Sequence, residues 1–358
     1  MKKFLIINPF GIGDVLFTTP VIRAIKDSYP DAFLGYWCNE RVAGVLKSNP
    51  KINLIFSLSR GDIKKIYNRS RFEGICKSLG LLRRIKKERF DICIDLSLEH
   101  HYSFIAKLLG IRKRVGFNYK KRGRFLTHKI DLDGYSSKHV VEYYLDLLNI
   151  IGIKPKTTDL DLYVNDADKI KAKNLLKYYG VTSEDLIIGI APGAGGSWGK
   201  DASLKHWPAI KFAQLANRIC EDLKAKILIL GDESERAIAD IIVNIMQHKA
   251  IDLVGKTTLE ELAAVISNLK ILITNDGGPL HMAVALGVKT VSIFGPVSEV
   301  VYGPYPQDNT RHIVLKNNLD CRPCYRDFRL EPCQINRECL EAIGVEQVFD
   351  GVRKLVNS

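Results

Sequence analysis

The stretch ILITNDGGPLHMAVALGVKTVSIFGP, residues 271–296, decides how the rest of this 358-residue chain is interpreted. It opens with a short apolar run, residues 271–274, whose β-branched residues predict a buried strand. Small and turn-forming residues at 275–279 end the run, and the proline among them suits the first turn of a helix. Residues 280–286 predict that helix, and residues 288–294 predict a second strand. The stretch therefore predicts a strand, a tight loop, a helix and a strand in succession.

The loop of this unit carries polar residues at a position suited to ligand binding. Asp276, Gly277, Gly278 and His281 surround the predicted start of the helix. A helix N-terminus presents unpaired N–H groups and the positive end of the helix dipole, so it favours a phosphate or diphosphate group. Alone, Asp276 would be explained as a helix cap and His281 as a packed core residue. Together, beside two glycines, they predict a ligand site.

The start of the chain repeats this pattern. Phe4 to Asn8 predicts a strand, Gly11 and Gly13 lie in the turn that follows, and apolar residues at helical spacing begin at Val15. A dinucleotide-binding turn would need a third glycine, so an oxidoreductase of that type is not favoured. Asp14 would oppose a phosphate. It is interpreted either as a helix N-cap or as a functional carboxylate facing the cleft.

The domain organisation follows from the alternation of strand and helix patterns, which runs twice over, before and after a polar segment at residues 152–158. Such alternation is typical of an α/β fold with parallel sheets. We expect two doubly wound, Rossmann-like domains whose sheets face each other across a cleft. The first covers residues 1–165 and the second residues 166–340. Residues 341–358 predict a C-terminal helix that packs back on the first domain.

The excess positive charge lies in the first half of the chain. Residues 1–165 contain 30 Lys and Arg against 16 Asp and Glu, whereas residues 166–358 contain 23 against 24. Residues 60–90 and 104–125 mix basic residues with Phe, Ile and Leu, which suits contact with an acidic membrane surface and also describes a solvated cationic face. A basic nucleic-acid-binding protein is the rival from another class, but no known DNA- or RNA-binding motif accompanies the charge.

The sequence predicts neither a signal peptide nor a membrane-spanning segment. The apolar run near the N-terminus is ended by Asn8-Pro9, too early for a signal sequence. No run approaches the about 20 apolar residues that cross a bilayer. We therefore expect a cytoplasmic protein, in which the eight cysteines are not paired as disulfides.

Four cysteines are concentrated near the C-terminus. Cys321, Cys324, Cys333 and Cys339 have the spacing C-x₂-C-x₈-C-x₅-C. The first pair is typical of a knuckle in which two thiolates bind one tetrahedral ion, and the other two cysteines can complete four sulfur ligands. The spacing predicts a structural zinc ion or four reduced thiols that fix a loop by packing; in a less reducing compartment, a disulfide pair is the third alternative.

Several blocks of the sequence resemble glycosyltransferase family 9, which contains the lipopolysaccharide heptosyltransferases. They are NPFGIGDVLFTTPVIRAIK, the loop from Ala191 to Pro208, VGKTTLEELAAVI and TNDGGPLHMAVALGVKTVSIFGP. The resemblance implies a GT-B fold with an acceptor-binding first domain and a nucleotide-sugar-binding second domain. It also implies metal-independent, inverting transfer of a heptose from an ADP-activated donor to a lipopolysaccharide core. A nucleotide-sugar epimerase of the same fold is the alternative enzyme.

The resemblance also implies roles for individual residues. Asp14 would be the catalytic base, and Lys205 would contact the donor phosphate unless Lys200, in the same long loop, takes that role. The other donor-binding residues would be the loop and helix start at Asp276, Gly277, Gly278 and His281, with Glu235 near the ribose and Gly255 and Thr257 near the base. The expected partners are a nucleotide-sugar donor, an anionic glycolipid acceptor and the inner face of the inner membrane, without nucleic acid. No cofactor is expected for catalysis.

Overall fold

The computed structural model describes the backbone of residues 1–58 and 60–358, and the side chains of all of these except residues 60–63, 65, 196, 197 and 200. The described chain divides into two compact units, Met1–Leu160 and Asp161–Ser358. The sequence analysis placed this boundary at residue 165.

The first unit is organised around a parallel sheet. Its strands are β1 (Lys3–Ile7), β2 (Phe33–Cys38), β3 (Leu54–Ser57), β4 (Ile92–Asp95), β5 (Lys113–Tyr119) and β6 (His128–Leu132). They lie in the order β3-β2-β1-β4-β5-β6, and all pairs are parallel. The helices are α1 (Ile12–Leu16), α2 (Thr19–Ser28), α3 (Arg60–Arg69), α4 (Arg71–Glu88), α5 (His100–Leu108) and α6 (Val140–Asn149), with 3₁₀ helices at Glu40–Leu46 and Gly123–Phe125.

The second unit contains a sheet of the same kind. Its strands are β7 (Ile187–Ala191), β8 (Lys226–Ile229), β9 (Ile251–Asp252), β10 (Ile271–Asn275), β11 (Lys289–Phe294) and β12 (His312–Lys316), and a small antiparallel hairpin adds β13 (Tyr325–Arg326) and β14 (Arg329–Leu330). The helices are α7 (Asp166–Tyr178), α8 (Ala209–Leu223), α9 (Arg236–Ile245), α10 (Leu259–Ile266), α11 (Gly278–Ala285), α12 (Glu299–Tyr302), α13 (Glu338–Glu341) and α14 (Val345–Asn357), with 3₁₀ helices at Gly196–Lys205 and Glu233–Glu235.

The two sheets share one strand order. The second sheet runs β12-β11-β10-β7-β8-β9, which is the order of the first sheet with β7 in the place of β1 and β10 in the place of β4. In each sheet, strands that follow the unit's first strand are added first on one side of it and then on the other. The strand order therefore reverses between β1 and β4 and between β7 and β10. Ligands of doubly wound sheets bind outside the carboxyl ends of the strands at such a reversal. The loops after β1 and β4, and after β7 and β10, are therefore the expected binding positions.

The edge strands β6 and β12 were missed by the sequence analysis, whereas the central strands were predicted. β1, β7 and β10 are runs of mostly buried and mostly apolar residues, because they are covered on both faces. β6 reads His-Lys-Ile-Asp-Leu and β12 His-Ile-Val-Leu-Lys, and each contains half-buried or exposed residues. A strand paired on one side only does not need a continuous apolar run, so the pattern that revealed the central strands was absent.

The C-terminal helix α14 differs from the prediction. The sequence analysis packed residues 341–358 on the first domain, but α14 contacts α8 and β11 of the second unit. Its buried residues Val348, Phe349, Val352 and Leu355 belong to the same hydrophobic core as Val291 of β11. The helix itself was predicted, but the apolar stripe of a helix does not specify which surface covers it.

Candidate active site

The reversal point of the second unit is held together by the buried side chain of Asn275, the last residue of β10. Its amide oxygen accepts from the backbone N–H of Trp207 at 3.0 Å, and its amide nitrogen donates to the carbonyl of Pro192 at 2.6 Å. Both partners belong to the segment 192–207, here named the β7 loop. Asn275 therefore fixes the start and the end of the β7 loop against the end of β10.

This arrangement brings Lys205 of the β7 loop to Asp276, the residue after β10. The ammonium nitrogen and a carboxylate oxygen are 2.6 Å apart, and the two side chains are only 8% and 7% exposed. The ammonium also lies 4.7 Å from the centroid of the Trp198 ring. A buried charge requires such partners, because burial in isolation would be very unfavourable. The alternative phosphate ligand of the sequence analysis, Lys200, lies outside the described side chains.

His281 lies on the first turns of α11 and is 4% exposed. Burial, and then the positive charge of Lys205, lower the pKa of His281 to about 3. The imidazole is therefore neutral at neutral pH, with one ring nitrogen able to donate and the other able to accept. Gly278 begins α11, and a Cβ on Gly277 would lie 3.2 Å from the backbone of Ala194. The missing side chain lets the β7 loop approach the start of the helix.

Glu235 connects the loops after β7 and β8. One carboxylate oxygen accepts from the N–H of Gly195 at 3.0 Å, and the other accepts from the N–H of Asp232 at 3.1 Å. A Cβ on Gly193 would lie 1.6 Å from the first of these oxygens, so only glycine leaves room for the carboxylate. Burial raises the pKa of Glu235. The described contacts of Glu235 are to backbone amides, and its proposed position near a ribose stays a prediction.

Gly255 and Thr257 follow β9 at the same edge of the sheet. Gly255 has a φ of +69°, donates its N–H to the carbonyl of Gly231 at 3.0 Å, and would place a Cβ 2.1 Å from a carboxylate oxygen of Glu233. Thr257 is half-buried just before α10. Gly255 is thus required by the fold of this loop, and base recognition by the pair stays a prediction.

In the first unit, Asp14 is the third residue of α1. A carboxylate oxygen accepts from the N–H of Gly11 at 3.2 Å, so Gly11 is the N-cap and Asp14 reaches back to it. Asn8 holds the same turn, since it donates to the Asp14 carbonyl at 3.0 Å and accepts from the N–H of Phe10 at 3.1 Å. The prediction that Asp14 itself is the N-cap is therefore wrong, but the carboxylate is held at the carboxyl end of β1.

Asp95 is a candidate that the sequence analysis missed. It ends β4, is paired in register with Ile7 of β1, and therefore lies on the other side of the reversal point from the Asp14 loop. Its carboxylate accepts from the hydroxyl of Ser97 at 2.6 Å and from the N–H of Ser97 at 3.0 Å. Burial nevertheless raises the pKa of Asp95 to about 6. The sequence does contain a pattern that could have identified Asp95, because an aspartate ends the otherwise apolar run Ile-Cys-Ile-Asp.

The four C-terminal cysteines are free thiols. Cys321 and Cys333 are exposed, Cys324 is half-buried and Cys339 is buried. Burial, and then the thiols of Cys321, Cys339 and Cys333, raise the pKa of Cys324 to about 11. Among the side chains that the structure describes, no three His, Cys, Asp or Glu are arranged as a metal-binding group.

Comparison with known proteins identifies the family. The family model for glycosyltransferase family 9 (heptosyltransferase) matches residues 78–334, more than half of the chain. The chain belongs to this family. Over an alignment of 359 positions it is 27% identical to lipopolysaccharide heptosyltransferase 3 of Escherichia coli K12, and the alignment covers 96% of this chain and 95% of that relative. Over an alignment of 363 positions it is 28% identical to lipooligosaccharide heptosyltransferase 2 of Campylobacter jejuni, and the alignment covers 99% of both.

The fold of this family 9 glycosyltransferase is also found among solved structures. The structure of E. coli ADP-heptose lipopolysaccharide heptosyltransferase II matches with a TM-score of 0.78 and 21% identity, covering 100% of this chain and 99% of that chain. At that identity the likeness shows the fold alone. It confirms the expected α/β architecture of GT-B type.

Proposed function

We propose that this glycosyltransferase moves a heptose from ADP-heptose to the core of a lipopolysaccharide, with inversion at the anomeric carbon. The observation that carries the proposal is the buried group of Lys205, Asp276 and His281 at the N-terminus of α11. It combines a fixed cation, a helix N-terminus and a neutral imidazole, which together suit a diphosphate. The two heptosyltransferase relatives, which match along almost the whole chain, support the sugar.

Lys205 is proposed to stabilise the departing ADP. An ammonium group has three N–H donors, and the ion pair with Asp276 uses one direction. As the bond between the anomeric carbon and the phosphate oxygen breaks, negative charge grows on the diphosphate. Preorganised donors aimed at such developing charge stabilise the transition state more than the ground state. Lys205 and the amides at the start of α11 can supply this charge stabilisation, and we propose that catalysis requires no metal ion.

Asp14 is proposed to accept the proton of the acceptor hydroxyl. The hydroxyl oxygen forms the new bond to the anomeric carbon from the face opposite to the leaving ADP, which gives inversion. The N–H of Gly11 orients the carboxylate for this step. Asn8 fixes the turn on which both residues lie. A general base in this position contributes about 10²–10⁴-fold to the rate.

The first unit is proposed to contact an anionic membrane surface through α4. Phe72, Ile75 and Leu79 are 78%, 46% and 45% exposed, and their spacing places them on one face of this helix. The same helix carries the basic residues Arg71, Lys77, Arg83, Arg84, Lys86 and Lys87. Exposed apolar residues combined with positive charge are typical of helices that lie in a membrane interface. In the part of the chain that the structure describes, no helix is long and apolar enough to span a bilayer.

The reaction is tested with ADP-heptose and a lipopolysaccharide core that lacks its terminal heptose. We expect ADP release only when both are present, a product heavier by one heptose, and unchanged activity after treatment with EDTA. An epimerase would instead convert the donor in the absence of acceptor, which NMR spectroscopy of the sugar would detect. A panel of ADP, UDP and GDP sugars should give thermal stabilisation with the ADP sugar first, since binding to the folded state raises its stability.

Membrane contact is tested separately by sedimentation with vesicles. Wild-type protein should bind phosphatidylglycerol vesicles and not phosphatidylcholine vesicles, and the Phe72→Ser/Leu79→Ser variant should bind less. Ile170→Ser on α7, which removes a residue 61% exposed in the other unit, is the matched control. Equal binding by the double variant and the wild type would rule out α4 as the contact.

A further inference from the structure

Lys205 is held from a second side by an aromatic ring that has no part in the proposed reaction so far. Its ammonium nitrogen lies 4.7 Å from the centroid of the Trp198 ring, within the about 6 Å over which a ring face attracts a cation. Trp198 is half-buried, and the Lys205 side chain is only 8% exposed. This attraction is strongest where water is excluded, and tryptophan attracts cations more strongly than tyrosine or phenylalanine does. The indole ring is therefore a partner of the ammonium group in its own right.

The backbone of the β7 loop brings the ring and the ammonium together. The stretch Gly196–Lys205 is a 3₁₀ helix interrupted at Gly199, whose φ of 54° lies in the left-handed region that favours glycine. The chain therefore changes direction directly after Trp198. The indole ring then meets the side chain that ends the same helix.

A second ring supports Trp198. The ring of Tyr325, in the hairpin strand β13, lies 5.0 Å from the Trp198 ring at an interplanar angle of 37°. The backbone N–H of Tyr325 donates to the carbonyl of Pro296 at 3.1 Å. In the same segment Arg322, whose side chain is 6% exposed, donates to the carbonyl of Gly295 at 2.5 Å. The hairpin is thus fixed to the loop after β11, and it holds the Tyr325 ring against the indole.

We propose that Trp198 is a positioning residue that orients the Lys205 ammonium toward the departing diphosphate, and that Tyr325 fixes the indole ring for this role. The inference rests on the proposed transfer reaction, in which Lys205 stabilises the leaving ADP. A lysine has a flexible four-carbon stem and three N–H donors. The carboxylate of Asp276 at 2.6 Å and the ring face at 4.7 Å take two of these directions and leave the third for a phosphate oxygen.

The ring matters most in the transition state. Negative charge grows on the diphosphate as its bond to the sugar breaks, and donors that are already oriented stabilise this charge without reorganising. Loss of the ring would let the ammonium take other orientations beside Asp276. The cost should therefore appear in kcat more than in the binding of the donor.

The first test is steady-state kinetics of the full chain with ADP-heptose and acceptor. Trp198→Leu keeps an apolar side chain but removes the ring face, and it should lower kcat by about 5–30-fold, equivalent to about 1–2 kcal/mol. The KM for the donor should change by less than about threefold. Trp198→Tyr restores a ring face and should recover most of the lost activity. Tyr178→Leu, which removes an aromatic ring 82% exposed in the same unit, is the matched control and should keep the wild-type kcat.

Three outcomes of these assays would overturn the proposal. Trp198→Leu could keep the wild-type kcat, or Trp198→Tyr could lose as much activity as Trp198→Leu, which would assign the effect to packing. A higher KM with unchanged kcat would show that the ring binds the donor directly. Tyr325→Leu should lower kcat in the wild-type background and have no further effect in Trp198→Leu. A further loss there would contradict support through the indole ring.

The second test needs neither donor nor acceptor. It compares how much Lys205→Met changes the equilibrium constant of unfolding in urea in the wild type and in Trp198→Leu, followed by circular dichroism. The change should be about 5–30-fold smaller in Trp198→Leu, because the contact between ring and ammonium is already lost there. Equal changes in both backgrounds would show that the two groups do not interact and would overturn the proposal. Because no ligand is present, a failure of the proposed transfer reaction would not be mistaken for a failure of this contact.

Discussion

Lys205 and Asp276 form the pair whose removal tests the site most directly. Their charged atoms are 2.6 Å apart, and each side chain is less than a tenth exposed. Removing one member of such a buried pair leaves an uncompensated charge and lowers the free energy of unfolding by about 3–5 kcal/mol. We therefore expect Lys205→Met and Asp276→Asn each to destabilise the second unit by that amount. The double variant contains neither charge, so its loss should fall short of the sum by more than about 2 kcal/mol.

The assay is urea denaturation followed by tryptophan fluorescence in a Trp37→Phe background, which leaves Trp198 and Trp207 as reporters in the second unit. Lys169→Met is the matched control, because its ion pair with Asp166 lies on the surface of the same unit and its loss should have no measurable effect. The effect on ligand binding is measured separately, by calorimetry with ADP. Loss of the ammonium should weaken binding by about 10–100-fold, the equivalent of one charged hydrogen bond.

The pKa of His281 provides a test that does not depend on the overall stability of the protein. Burial lowers the pKa of His281 most and the charge of Lys205 lowers it further, so the imidazole of the Lys205→Met variant should titrate at higher pH, as followed by NMR. The reasoning is refuted if Lys205→Met is as stable as wild type, or if it binds ADP with wild-type affinity. Additive losses in the double variant would show that the two charges do not interact in solution.

Four further changes probe the neighbouring positions. Asp14→Asn should lower kcat by about 10²–10⁴-fold with ADP affinity unchanged, and full activity would reduce Asp14 to a helix residue. The pKa of His281 is about 3 in the folded state and about 6.5 when unfolded. Its contribution to the free energy of unfolding is therefore complete above pH 6.5 and is lost as the pH falls toward 3. In His281→Gln the free energy of unfolding should depend less on pH. Gly193→Ala should lower the free energy of unfolding by about 1–3 kcal/mol through collision with Glu235, measured by urea denaturation, and a loss below the error of the fit would contradict the collision. Asp95→Asn should stabilise the protein at pH 8 by at most about 3 kcal/mol and not at pH 4, since the raised pKa of Asp95 makes its ionised form unfavourable; equal thermal shifts at both pH values would contradict this.

The fold was predictable where burial imposes a pattern on the sequence. The central strands β1, β7 and β10 are mostly buried and mostly apolar, and their loops contain glycines for identifiable reasons, as at Gly193 beside Glu235. The edge strands β6 and β12 and the partner of α14 were not predicted, because these half-exposed strands have no continuous buried apolar run and an apolar stripe fits several surfaces. The sequence pattern reports how much of an element is covered, and not which element covers it.

The candidate site shows the same division. Asp276 and His281 were predicted from the loop and helix that carry them, and Lys205 from the resemblance to glycosyltransferase family 9. Their mutual contacts were not, because the ion pair joins residues far apart in the chain through the pairing of β7 with β10. Glu235 was assigned to a ligand, whereas its described bonds are to Gly195 and Asp232. The identity of a polar residue does not reveal whether the protein itself satisfies its hydrogen bonds.

The two reversal points also differ in the charges around their carboxylates, and this difference fits a different ligand for each unit. At each reversal point a buried carboxylate lies at the carboxyl edge of the sheet. Asp95 ends β4, which pairs with β1, and Asp276 follows β10, which pairs with β7. Asp276 faces an ammonium at 2.6 Å, which is a charge already in place for an anionic ligand. Asp95 accepts from the neutral hydroxyl and amide of Ser97, and its pKa of about 6 leaves it ready to exchange a proton near neutral pH. A site with a built-in cation suits a diphosphate, whereas a site with easily protonated carboxylate suits a ligand that presents hydroxyl groups. That is the distribution expected when the second unit binds the nucleotide sugar and the first binds a sugar acceptor.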